Sequence, residues 1–358
     1  MIKKGVRQLQ LTGLLLLVLL CIGCFAKFPL LVEQFYSKKI FHLSAIFGQM
    51  LFGFLPFSFG DVIYLLLFLL FIFSFLSIVK NLWRKKYLKV GMLLVRIVNS
   101  LLLIAVVFYL FWGLNYFRIP LEKRMALDMD IKASCELLET TALCIDKANE
   151  YRALLNKEDW QRSDQDIFHK ASELLSSTHT LKQYIFIYQP SVKKPITNMH
   201  VNYTMVAGYF NPFTQEAHVN TAMPLFAKPF TACHELGHQA GTGFEDEANL
   251  IGFVLCTESD DNLFRYSAYY HAMFMLLNQV FWEDQRSYLC LLKLISPEVK
   301  KDAELEHTFW QQYNGVLNRA SSKFYSGYLQ VNNQPEGLRR YNRMTKLLIA
   351  WKKKYFLP

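Results

Sequence analysis

The chain has 358 residues, 53% of them hydrophobic, and a formal net charge of +10, which is enough material for one large domain or two modest ones. The cationic surplus does not mark a nucleic-acid binder. Lys3, Lys4, Arg7 and the basic residues between 80 and 96 lie beside apolar runs, where anionic lipid headgroups are the natural partner, and no aromatic-basic recognition motif occurs.

Leu, Phe, Ile and Val dominate the first third, and charged residues gather beyond about residue 118. Three uncharged runs, Leu9–Ala26, Val62–Val79 and Ile97–Leu114, approach the length that crosses a hydrocarbon core of roughly 30 Å. The first follows three cations and so also has the form of a signal peptide. Its end, "LCIGC", has a faint likeness to a lipoprotein cleavage site at Cys24, although Cys21 stands where an aliphatic residue is usual. Ile40–Gly60 is apolar but interrupted by Gln49, Pro56 and glycines, and reads as an interfacial or partly inserted segment. Lys80, Arg84, Lys85, Lys86, Lys89 and Arg96, with no acid among them, favour a cytoplasmic side for the loop between the second and third runs and for the N-terminus. Residues 1–117 then form a multi-pass anchor in the bilayer, and residues 118–358 an extracytoplasmic domain.

The spacing of apolar residues predicts helices over Asp130–Asn156 and Asp164–Leu175. "KQYIFIYQP" reads as a strand or a helix end. Met199–Val206 and Ala217–Thr221 read as strand cores flanking a turn in "GYFNPFT". Beyond Pro224 the pattern is helical: a helix in "FTACHELGHQAG", with Thr231 as N-cap and Gly241 as stop, then "EDEANLIGFVLCT", then Tyr266–Trp282. Ser296 and Pro297 signal a further helix start, and Leu338–Trp351 a last helix. The expected fold is mainly α with a small β-sheet. The odd number of cysteines, seven, gives no disulfide framework, and Cys135, Cys144, Cys233, Cys256 and Cys290 read as small buried apolar residues.

The chemistry gathers in "FTACHELGHQAGTGFEDEANLIGF", Phe230–Phe253. Residues four apart share a helix face, so His234 and His238 project side by side and can hold one zinc ion. Glu235 is turned about 100° from His234, which puts it beside the metal as a base for an attacking water. A third protein ligand is expected among Glu245, Asp246 and Glu247. Glu245 is the choice, because Asn249 then lies one turn away to accept the free N–H of a ligating histidine; Glu247 is the runner-up. Gly241 and Gly243 suit the reversal between the two helices. Tyr266, Tyr270, His271 and Tyr341 are candidates for stabilising an oxyanion, with nothing to choose among them.

"HELGHQAGTGFEDEAN" resembles the HExxH-plus-glutamate arrangement of gluzincin-type zinc metallopeptidases. More of the chain, including "YSKKIFHLSAIFGQMLFGFLPFSFGD", "GYFNPFTQEAHVN" and "GLRRYNRMTKLLIAW", resembles an uncharacterised bacterial membrane family, domain of unknown function 3810. The resemblance implies a membrane-anchored, zincin-like peptidase domain. Asn249 stands where gluzincins have an aspartate, the interval from His238 to Glu245 is short for the group, and Phe244 occupies the place of a metzincin's third ligand. The resemblance also implies that Ala217–Thr221 is an edge strand on which a peptide substrate pairs.

The expected function is hydrolysis of a peptide or protein substrate, with Zn2+ on His234, His238 and Glu245, and Glu235 as general base then acid. The alternative is a catalytically inactive zincin-like binding or scaffolding module of the cell envelope. Glu235 favours the enzyme, since a structural metal has no use for a base there. An intramembrane site is excluded by Lys228 and the acids after the motif.

Overall fold

The apolar runs near the N-terminus lie in three helices long and apolar enough to cross a membrane: α1 (Ile2–Ala26), α2 (Phe59–Trp83) and α3 (Tyr87–Phe111). The computed structural model describes residues 2–130, 134–334 and 341–355, with the backbone alone for Ile2, Tyr341 and Asn342. α3 differs from the run Ile97–Leu114. It begins at Tyr87, so Lys89 and Arg96 are helical rather than in a loop, and it ends at Phe111. The chain leaves the helix at Trp112 because that indole turns inward and donates to His238 O at 3.1 Å; Leu114 is buried beyond it.

Between α1 and α2 a mostly helical strap runs through π-helical Val32–Ile40, an α-helix Phe41–Gly48 and π-helical Gln49–Gly53. One side buries Val32, Tyr36, Phe41 and Ala45 against the rest of the protein, while Leu43, Phe47 and Phe54 stay exposed. Ile40–Gly60, expected as a partly inserted segment, thus has one side on protein and one side open. Glu33 takes both bonds of a forked pair with Arg118, at 2.9 Å each, and Arg118 also donates to Gly241 O at 2.9 Å. These contacts join residues on either side of position 118.

The rest of the chain is helical around one small sheet. α4 (Ser134–Leu154) and α5 (Asp164–Ser177) precede β1 (Val192–Lys193), β2 (Gly208–Asn211) and β3 (Glu216–Val219). α6 (Lys228–Gln239), α7 (Glu245–Glu258), α8 (Asn262–Glu283), α9 (Gln285–Leu294), α10 (Pro297–Gln311), α11 (Val316–Val331) and α12 (Tyr341–Tyr355) follow. The core forms where α8 lies along α4 and where α6 is enclosed by α5, α7 and β3. Phe226, Leu236, Ile251, Phe264, Met273 and Leu347 are buried there.

Several boundaries depart from expectation. Met199–Val206 is not a strand: Asn198–Tyr203 is a short helix, capped by the Thr197 side chain on Met199 N. Asn198 bonds Thr221, and Asn202 bonds Asn220, so the Thr197 cap and these two longer-range polar contacts override the β-branched pattern. β2 instead occupies part of the stretch read as a turn. The sheet order is β1-β3-β2, with β1 parallel and β2 antiparallel to β3. The residues of "KQYIFIYQP" form neither strand nor helix. Thr231 lies inside α6 rather than capping it, its hydroxyl donating to Ala227 O. Gly241, at φ +87°, ends α6 as expected, and Ser296 caps α10.

Candidate functional site

α6 presents His234 and His238 on one face, and α7 brings Glu245 and Asn249 opposite them. The two helices can approach closely because a Cβ at Gly252 would lie 3.2 Å from His234 N and 3.3 Å from Phe230 O. The Nε2 atoms of His234 and His238 are 3.2 Å apart. Glu245 Oε2 is 3.4 Å from the first and Oε1 is 3.5 Å from the second. Donors about 2.1 Å from a tetrahedral zinc lie roughly 3.4 Å from one another. The three donors therefore have the mutual spacing of three ligands of one ion. Glu235 also offers a carboxylate to this group, with a donor atom within 4.8 Å of those of both histidines, but even its approach to His234, at 4.0 Å, is longer than those of Glu245.

The outer nitrogens set the tautomers. His238 Nδ1 is 2.8 Å from Thr242 O, which can only accept, and His234 Nδ1 is 2.8 Å from Asn249 Oδ1. Both Nδ1 atoms thus carry protons and both Nε2 atoms turn lone pairs inward. Two lone pairs and the Glu245 carboxylate then converge on one point, an arrangement that repels itself until a cation enters. A proton is the simplest such cation. Burial disfavours it on His238, but the neighbouring Glu245 carboxylate outweighs burial and raises the ring to about 9. Burial likewise opposes charge on Glu245, yet His238 and His234 hold it well below the usual carboxylate range.

Glu235 is buried beside these donors, and its Oε2 has no hydrogen-bond partner. Burial pushes its carboxyl up to about 7, with His234 and His238 pulling the other way. Gly208 on β2 leaves it room: a Cβ there would meet Glu235 Oε1 at 2.7 Å and His218 O at 2.8 Å. These groups open on a cavity of about 660 Å³, walled by β2, α6, α7 and α11 and lined also by Trp112 and Tyr116.

The structure brings His234, Glu235, His238, Glu245 and Asn249 together as the sequence predicts, and it moves others away. Glu247, the runner-up ligand, is fully buried and accepts from Leu121 N at 2.7 Å with Arg124 nearby; its place two residues after Glu245, about 200° around the helix, sends it to the far side of α7. Asp246 pairs with Arg343 at 2.7 Å. Tyr266 and Tyr270 donate to Asp302 and Glu306, each at 2.7 Å, and so are engaged elsewhere. His271 lines the cavity, stacked on Phe230. The Tyr341 side chain lies outside the described residues. Ala217–Thr221 is not an edge: β3 is the middle strand, and β2 is the edge along the cavity. Asn220 N–H donates to Ala207 O, and the alternation of an antiparallel ladder then turns the N–H and C=O of Gly208 and Phe210 to the open side.

Gly208 escaped the sequence analysis, and so did a tyrosine. Tyr325, on α11, donates its hydroxyl to Glu245 Oε1 at 2.7 Å. The apolar spacing Val316, Leu317, Ala320, Phe324 would have revealed its helix, but nothing local ties it to a motif 80 residues earlier.

A family described as protein of unknown function (DUF3810) matches residues 36–349. The chain belongs to this family. No curated protein and no solved structure matches it. The matched DUF3810 region begins at Tyr36 in the strap and so takes in α2, α3 and the whole candidate site.

Proposed function

We propose that this DUF3810 protein is a membrane-anchored, zinc-dependent peptidase whose zincin-like site lies on the extracytoplasmic side. The observation that carries the reading is the spacing of His234 Nε2, His238 Nε2 and Glu245 at 3.2–3.5 Å, beside a buried glutamate with an unpartnered oxygen. His234, His238 and Glu245 would hold the metal, with Asn249, Thr242 O and Tyr325 fixing their orientation. When bound, zinc would supply Lewis-acid polarisation of the scissile carbonyl and of the attacking water.

The chain's own groups do the rest. Glu235 takes the proton from water at its free oxygen and returns it to the leaving amine, work suited to a carboxyl near 7. The open edge at Gly208 and Phe210 offers backbone donors and acceptors to an extended peptide. Gly208 lets that peptide lie close to the base.

Cleavage of a mixture of unmodified peptides by the full chain in detergent, read by mass spectrometry, tests the proposal. Wild type should cleave, a chelator should stop it, and Glu235→Gln should lower the rate about 10²- to 10⁴-fold while keeping its zinc. Glu235→Gln cleaving like wild type would refute the assigned role.

A further inference from the structure

We propose that α11 lies in the membrane interface, its exposed apolar stripe among lipid headgroups and upper acyl chains, so that the mouth of the cleft is held at the bilayer surface. At about 100° per residue, Val316, Leu317, Ala320, Phe324, Gly327 and Val331 fall on one arc of the helix. Among the described residues none buries that arc: Phe324, at the rim of the cavity, is 78% and Val316 73% exposed, and Leu329 is the only buried residue of the helix. The opposite arc carries Asn318, Tyr325 and Leu329 toward the rest of the protein, with Tyr325 on Glu245. Arg319 and Lys323 flank the stripe on one side, where anionic headgroups would meet them. At 16 residues with one polar face the helix is too short and too polar to span.

The neighbours of α11 place it beside the spanning helices. Tyr328 packs on Phe108, in the last turn of α3, with ring centroids 6.0 Å apart, and its hydroxyl meets that of Tyr116 at 3.2 Å. The facing lip of the cavity is tied to α2 in the same way. Asp61, in the first turn of α2, accepts from Ile196 N at 2.9 Å and from the Tyr209 hydroxyl at 2.6 Å. That lip also exposes apolar side chains, Ile196, Met199 and Tyr203. Asn318 of α11 reaches Met205 across the gap. Both lips are thus anchored where spans end, and both present uncovered apolar surface. A lipid surface is the occupant continuous with those spans. The inference does not depend on the hydrolytic reading.

Spin labels on the full chain test it. With the exposed Cys21, Cys24, Cys135 and Cys290 replaced by serine, single labels enter through Leu317→Cys, Phe324→Cys, Val331→Cys and, off the stripe, Ser322→Cys. The protein is reconstituted in vesicles of equal parts phosphatidylglycerol and phosphatidylcholine. Stripe labels should collide several-fold more with oxygen than with a water-soluble nickel chelate, and the Ser322 label should show the reverse preference. Stripe labels that favour the chelate would overturn the inference by showing a water-facing helix. Labels shielded from both relaxants would overturn it by showing a protein partner or a second copy.

Discussion

Gly208 is where a single atom matters most. Gly208→Ala puts a methyl 2.7 Å from Glu235 Oε1 and 2.8 Å from a carbonyl that cannot yield, so the base must move. Displacement on the scale of an ångström costs about 10²-fold in rate. Gly208→Ala should therefore lose peptide cleavage by about that factor while retaining zinc, measured on one preparation. Tyr325→Phe removes one hydroxyl from Glu245 Oε1 and should weaken zinc retention about 10- to 100-fold in chelator competition; unchanged affinity would leave Tyr325 with no part in holding the ligand. These residues differ in how visible they were. His234, Glu235, His238, Glu245 and Asn249 sit within one helix–turn–helix, so spacing within each short helix pointed to them, Glu245 through its pairing with Asn249 one turn on. Gly208 and Tyr325 arrive through tertiary packing, which no local spacing encodes.

Among the elements, the α6–α7 contact and the strap carry the site. Gly252→Ala pushes a methyl against the backbone of His234 and Phe230 at 3.2 and 3.3 Å. Overpacking of this kind costs about 1–3 kcal/mol. It also separates Glu245 from the histidines, so denaturation midpoint and zinc affinity should fall together. In the strap, Glu33→Ala leaves Arg118 buried without its carboxylate, a loss of about 3–5 kcal/mol to be read from denaturant unfolding in detergent. The pH dependence follows from the same pair. Burial opposes ionisation of Glu33, but the Arg118 guanidinium holds it below its ordinary 4.5. A carboxyl lowered on folding stabilises fully above its unfolded value, and the stabilisation is lost as pH falls through the folded one. Glu33→Gln should therefore flatten the stability profile below pH 4.5. Element type was legible where periodicity was long, as in α4, α6 and α7. It failed at Met199–Val206, where Thr197, Asn198 and Asn202 form polar contacts that favour a helical turn. The edge strand was misassigned because β1, a strand of two residues, leaves no pattern.

At the scale of the molecule, three apolar helices, a strap and a mostly helical body share contacts throughout. The three long apolar helices were readable from composition, because uncharged runs of Leu, Phe and Ile approach the length that crosses a bilayer. The strap was not, since its apolar residues serve both a protein face and an open face. The basic residues between α2 and α3 predict that Arg84–Lys86 face the cytoplasm. A protease added outside intact cells should cut at exposed turns of the body such as residues 156–158 and spare that loop. The most direct measurement is the zinc content of the full chain purified in detergent, alongside His238→Ala and Glu245→Gln. About one zinc per wild-type chain, lost or much weakened in both variants, is the predicted result. Wild type that holds no zinc after metal is supplied would contradict the metal centre, and zinc retained by Glu245→Gln as firmly as by wild type would contradict its third ligand.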